Sequence, residues 1–164
     1  MVDVKHLETE SAVYGVIVVA GLVVIIGDYA EASWEVLVKV TVTVLVFWVA
    51  HVFAGTVAHL SDAYEVGMAP LQRLRSAMRY ALDHSWGMLL AVLLPVQPLL
   101  LGARGWITDQ QAIWSTLWAA VLALAILGWV KVARWSKRTS YRLIGAGVTG
   151  GLGLVLILLK TLVH

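Results

Sequence analysis

Residues 34–60 read WEVLVKVTVTVLVFWVAHVFAGTVAHL, and the way they are read decides the fold. From Val36 to Val44 a valine stands at every second position, the pattern of a strand in water. Only Glu35 and Lys39 are charged in the whole stretch. A run this apolar belongs in hydrocarbon, where an isolated strand would leave its N–H and C=O groups unpaired. A helix pairs them within the segment, so a helix is the expected state.

Four further apolar runs lie at about 11–27, 82–102, 108–131 and 140–163. None of them alternates, which argues against a β-barrel. Of the 164 residues, 60% are hydrophobic and 13% charged, and the mean hydropathy is +0.86. A soluble domain of this size needs more polar residues to cover its surface, a need that a bilayer removes. Each span takes about 20 apolar residues, so little chain remains between the runs. The expectation is an all-α, polytopic integral membrane protein, one membrane domain over 1–164 with five transmembrane helices. A short cytoplasmic amphipathic helix should precede the third span. That segment, 70–80, opens on Pro70, with Leu71, Leu74, Ala77 and Met78 on one face and arginines on the other. The first run should remain as a span, because its flank from Asp3 to Glu10 is acidic on balance and Gly27-Asp28-Tyr29 is a poor cleavage site.

The charges orient the spans. Arg73, Arg75 and Arg79 occupy one gap, and Lys131, Arg134, Lys137, Arg138 and Arg142 occupy or border another. The gap after the first run holds Asp28, Glu31 and Glu35 and no basic residue, and that after the third holds only Arg104. The positive-inside rule then puts the N-terminus in the cytoplasm and the C-terminus outside, in the cell inner (cytoplasmic) membrane. Lys39 and Lys160 fall near the outer ends, where their stems can snorkel. Trp34 and Trp106 match the outer aromatic belt and Trp86, Trp129 and Trp135 the inner one, while Trp48, Trp114 and Trp118 should pack between helices. The pI near 9.0 follows from these loop charges and calls for no nucleic-acid partner. Cysteine is absent, which excludes disulfides, thiolate metal sites and cysteine nucleophiles.

His51 is the principal candidate residue. It sits slightly inside the midplane of the second run, where an ionisable group is costly and faces a bundle interior, a cavity or a partner. His51, Gly55, His59 and Asp62 share one helical stripe, and His84 opens the third run at the depth of His59. Three readings follow: His51 simply hydrogen-bonds a neighbouring helix; the stripe lines a polar path with His51 as the titrating group; or His59 and His84 hold a metal or haem, although their spacing matches no metal motif. Pro95-Val96-Gln97-Pro98 bends the third run or frees carbonyls that, with Gln97, line a cavity. Gly147 and Gly151 form a GxxxG pair for helix packing, and Ala50 and Ala54 offer a docking face on the second run.

No serine, histidine and carboxylate combination carries a nucleophile signature, so no catalytic residue is predicted. Five spans in a chain of this length resemble the tryptophan-rich sensory proteins (translocator proteins). Their Trp-x-Pro-Pro and Leu-Asn-x-x-Trp motifs are missing, so none of that family's ligand residues has a position here. The first functional expectation is a channel or transporter for protons, ions or a small solute, through His51, His59, Asp62, His84 and Gln97. The alternatives are a non-catalytic accessory subunit of a larger membrane complex, and a haem or metal protein through His59 and His84. No cofactor is required. The expected partners are the lipid bilayer and either a second copy or a larger membrane complex.

Overall fold

The computed structural model describes residues 10–27, 32–62 and 69–163. They form five helices: α1 Glu10–Ile26, α2 Ser33–Asp62, α3 Pro70–Ala103, α4 Asp109–Trp135 and α5 Thr139–Val163. No strand occurs among the described residues. The period-two pattern of 36–44 is overridden, since α2 is helical throughout. The Thr43 hydroxyl donates to the Lys39 carbonyl at 2.8 Å, which satisfies a polar group inside its own helix.

Helices α2 to α5 are each long and apolar enough to cross a bilayer, which is compatible with a helical membrane protein. Helix α1 is as apolar but has only 17 residues, about 25 Å at 1.5 Å per residue. It is the central helix, packed on α3 and α4 and touching α5 and α2. Ala12, Val16, Val19, Ala20 and Val23 are buried. Gly15 permits the closest approach to α3, because a Cβ there would lie 2.8 Å from Met88 Cγ.

Contacts at the two ends of α1 define two ends of the bundle. At its start the Ser11 hydroxyl donates to the His84 carbonyl of α3, 3.1 Å away. Val13 shares a groove with Lys131, Trp135 and Tyr141. At its finish Gly27 lies against Ile113 of α4 and Lys160 of α5. Both basic segments, 73–79 and 131–142, therefore lie at the end where α1 begins.

The amphipathic stretch 70–80 is not a separate surface helix. It is the first part of α3, which runs unbroken for 34 residues. No glycine or proline interrupts the chain between Leu71 and Trp86, so nothing ends the helix there. At about 51 Å α3 exceeds the roughly 30 Å of a hydrocarbon core. Ala77 is buried, while Leu71, Leu74 and Met78 are exposed. Pro95 and Pro98 lie inside α3 without ending it. The helix stops instead at Gly105, whose φ of 73° suits only a residue without a Cβ. Gly105 N–H donates to the Gly102 carbonyl at 2.8 Å and Trp106 N–H to the Leu101 carbonyl at 3.1 Å, a Schellman closure. Thr108 and Gln111 then cap α4 reciprocally.

Opposite the basic end, α2 is anchored by a residue distant in sequence. Asp109 accepts from Ser33 N–H at 2.8 Å and from the Ser33 hydroxyl at 2.5 Å. A carboxylate from the first turn of α4 thus serves the N-terminus of α2, where backbone N–H groups lack intrahelical partners. Lys160 does not snorkel outward. It is buried, with Nζ 5.7 Å from the centre of the Trp114 ring. Trp118, expected between helices, is exposed.

Candidate functional site

The inward stripe of α2 begins with Val36, Val40 and Val44, all buried. Helical periodicity continues it through His51, Gly55 and His59, all partly buried. This stripe meets α3 along a seam. Trp48 packs on Trp86 with ring centres 6.0 Å apart and planes at 56°. A Cβ on Gly55 would stand 3.3 Å from the Ala81 Cβ. His59 stacks on Tyr80 at 4.1 Å and 7°, and Tyr80 stacks on His84 at 3.9 Å and 28°.

His59, Tyr80 and His84 therefore form a three-ring stack across the basic end of the seam. Tyr80 and His84 are one helical turn apart on α3 and face the same way. His84 Nδ1 lies 2.9 Å from the Tyr80 carbonyl, a bond the imidazole makes by donating from that nitrogen. This fixes the ring and turns Nε2 away from the helix. The stack joins His59 and His84 only through the phenol. Tyr80 stands between the two imidazoles, so the structure does not bring their nitrogens together. Among the described residues no three His, Asp or Glu side chains converge as a metal site.

The remaining predicted site residues are distributed differently. The Asp62 side chain lies outside the described residues, as do Asp28 and Glu31. Gln97 is exposed, and its Nε2 donates to the Leu93 carbonyl at 3.2 Å. It lies thirteen residues beyond His84, about 20 Å along the helix, and does not join the stack. Ala50 and Ala54 are exposed, so α2 docks on α3 through Gly55 rather than through its alanine series. Around a Cβ on Gly147 or Gly151 no described atom lies within 4 Å. The close contact of α5 with α4 belongs to other residues: Gly145 faces Gly128 and Val132, and Gly153 faces Val121. The Thr149 hydroxyl donates across this contact to the Leu124 carbonyl at 2.7 Å.

Two features escaped the sequence reading. One is Tyr80, whose place one turn before His84 was a usable signal once 70–103 is read as a single helix. The other is the indole Nε1 of Trp48, a residue expected between helices: it is buried one turn before His51 with no acceptor among the described residues. The class these features define is an all-helical protein with membrane-compatible helices and an aromatic–imidazole cluster at one end of a helix seam. Comparison with protein-family models, curated proteins and solved structures returned no match for this chain.

Proposed function

We propose that this chain is a small polytopic protein of the cell inner membrane that passes protons or a small cation along the α2–α3 seam. His59, Tyr80 and His84 form its entrance and His51 its intramembrane relay. The observation that carries this reading is the stack. It gathers two imidazoles and a phenol, all proton-exchanging groups, at the mouth of the seam along which His51 sits. Imidazole changes charge near neutral pH and can take up and release a proton in turn. An ionisable residue at the depth of His51 is costly unless it serves a path or a partner. The unpaired Trp48 Nε1 is a donor that a hydrophilic occupant of the seam would meet.

In this reading the basic end faces the cytoplasm, all five helices cross, and the C-terminus is outside. The common location of segments 73–79 and 131–142 at the start of α1 supports that orientation. The test is proton flux into liposomes holding the purified chain, driven by a pH gradient and a counter-ion. Flux should appear with the wild type and fall at least tenfold in His51→Ala. Equal flux in both sinks the reading.

An accessory role in a larger membrane complex is the second reading. The face of α5 carrying Gly147 and Gly151, where a Cβ would meet no described atom within 4 Å, favours it. Mild-detergent purification from the native membrane separates the two readings. A monodisperse single chain with flux supports the first, and a stoichiometric partner with no flux supports the second.

A further inference from the structure

A groove of about 380 Å³ runs between α4 and α5 at the basic end, with Val13 of α1 contributing to its wall. We infer that this groove binds one acyl chain of an anionic phospholipid, with the phosphate held at its mouth by Lys131 and the basic turn 137–142. The inference rests on membrane residence and is independent of the His51 relay.

Three observations fix the occupant. The wall is almost wholly apolar, built from side chains such as Leu127, Val132, Ile144 and Val148, and Lys131 is the one charged residue among the described residues that line it. Gly128 and Gly145 lie at the contact beneath it, where a Cβ on either would collide with the other helix. A groove of this size lies within the roughly 300–1,000 Å³ of ligand sites, and a hydrocarbon chain suits its lining.

The mouth is polar, aromatic and one-signed. Trp135 and Tyr141 stand 5.8 Å apart at its rim, in the pattern of rings that sit at headgroup depth. Segment 131–142 contains five basic residues and no acidic one. Arg142 donates from Nε to the Ser136 carbonyl at 3.1 Å, which holds its guanidinium over the turn. The first turn of α5 has no acidic residue, and Arg142 lies beside it. A helix N-terminus ordinarily attracts negative charge, yet the first turn of α5 carries no acidic residue and the described charged residues of segment 131–142 are all cations. An anion at this turn would be met by the helix end, by Arg142, and by the exposed Lys137 and Arg138. A phosphodiester on an acyl chain matches both halves of the site. Basic pockets between helices on the cytoplasmic side take such headgroups.

The experiment uses the full chain in phosphatidylcholine vesicles containing graded fractions of brominated-chain phosphatidylglycerol or brominated-chain phosphatidylcholine. Bromine quenches nearby tryptophan, and the signal of Trp135 is the difference between wild type and Trp135→Phe. Half-quenching should need roughly fivefold less phosphatidylglycerol than phosphatidylcholine. Lys131→Gln with Arg138→Gln should abolish that preference. Val148→Phe, which fills the groove from an exposed position, should weaken quenching by both lipids. Replacing Arg73, Arg75 and Arg79 with glutamine should change nothing at Trp135. Four results overturn the inference. Equal quenching by the two lipids would mean ordinary annular contact. Loss of preference in the Arg73, Arg75 and Arg79 variant would mean attraction to the surface in general. Quenching of the other tryptophans without any at Trp135 would mean that protein, such as a second copy, covers the groove. Quenching of no tryptophan at all would remove the membrane reading itself.

Discussion

At the scale of single residues, small side chains carry much of the specificity of this bundle, and they are not all equivalent. Gly128 and Gly151 are both glycines inside long helices. A Cβ on Gly128 would collide with Thr149 Oγ1 and the Gly145 backbone, whereas one on Gly151 meets nothing within 4 Å. Gly128→Ala should therefore destabilise the α4–α5 contact by about 1–3 kcal/mol, the usual cost of overpacking. Gly151→Ala should leave stability unchanged or slightly raised, since alanine is the better helix former. Thermal unfolding in detergent, followed by tryptophan fluorescence, distinguishes them; equal melting temperatures would contradict the packing described. The sequence marks five glycines in the last run but not which of them touch α4, because that depends on the rotation of the helix. His59 and His84 are readable as neighbours because both lie where the second and third runs meet the basic gap. Tyr80 between them is not, since it belongs to a stretch whose amphipathicity resembles that of a surface helix. Asp109 is equally opaque: its partner Ser33 lies 76 residues away, and no local pattern encodes a tertiary cap.

Among the elements, α4 shows how burial is divided within one helix. Leu124 is fully buried, and Leu122, two residues earlier, is half exposed. Leu124→Ala should cost about 2–5 kcal/mol, the range for emptying a core position. Leu122→Ala trades an exposed chain for a smaller one and should cost far less. Chemical unfolding of both variants in mixed micelles measures the contrast. If the two lose similar stability, α4 is turned differently from the way described here. Element type was legible throughout, including for 34–60, where the impossibility of unpaired backbone in lipid outweighs the strand-like alternation. Element length was less so. The third helix absorbs 70–80 because nothing in 81–84 breaks it. The first run gives a 17-residue helix, shorter than the other four, and its length alone does not say whether it crosses.

For the whole molecule, the question is whether α1 would cross a bilayer together with the four helices long and apolar enough to do so, because that decides where the N-terminus lies. Helix α1 reaches from His84 at one end to Ile113 and Lys160 at the other. On α4 and α5 these last two marks lie near one end, and Val13 meets Lys131, Trp135 and Tyr141 near the other, so α1 runs alongside most of the length of both. About 25 Å of helix can match a hydrocarbon core of roughly 30 Å if the bilayer thins or flanking residues adjust, at a cost of fractions of a kcal/mol per Å. The chain has no cysteine, so single cysteines can be introduced without background. Ala103→Cys and Leu162→Cys lie at the end opposite the basic segments, and Ser76→Cys and Thr139→Cys lie at the basic end; none of the four substitutions alters a charge. In intact cells a membrane-impermeant maleimide should label the first pair and spare the second until the membrane is permeabilised. Lys5→Cys is the deciding position. Five crossings put it with the protected pair, and four crossings, with α1 inserted from outside, put it with the labelled pair. Labelling of Lys5→Cys in intact cells, alongside protection of Thr139→Cys, would reduce the span count to four. The N-terminus would then lie on the face away from the arginines, and the Ser11–His84 contact would have to be abandoned.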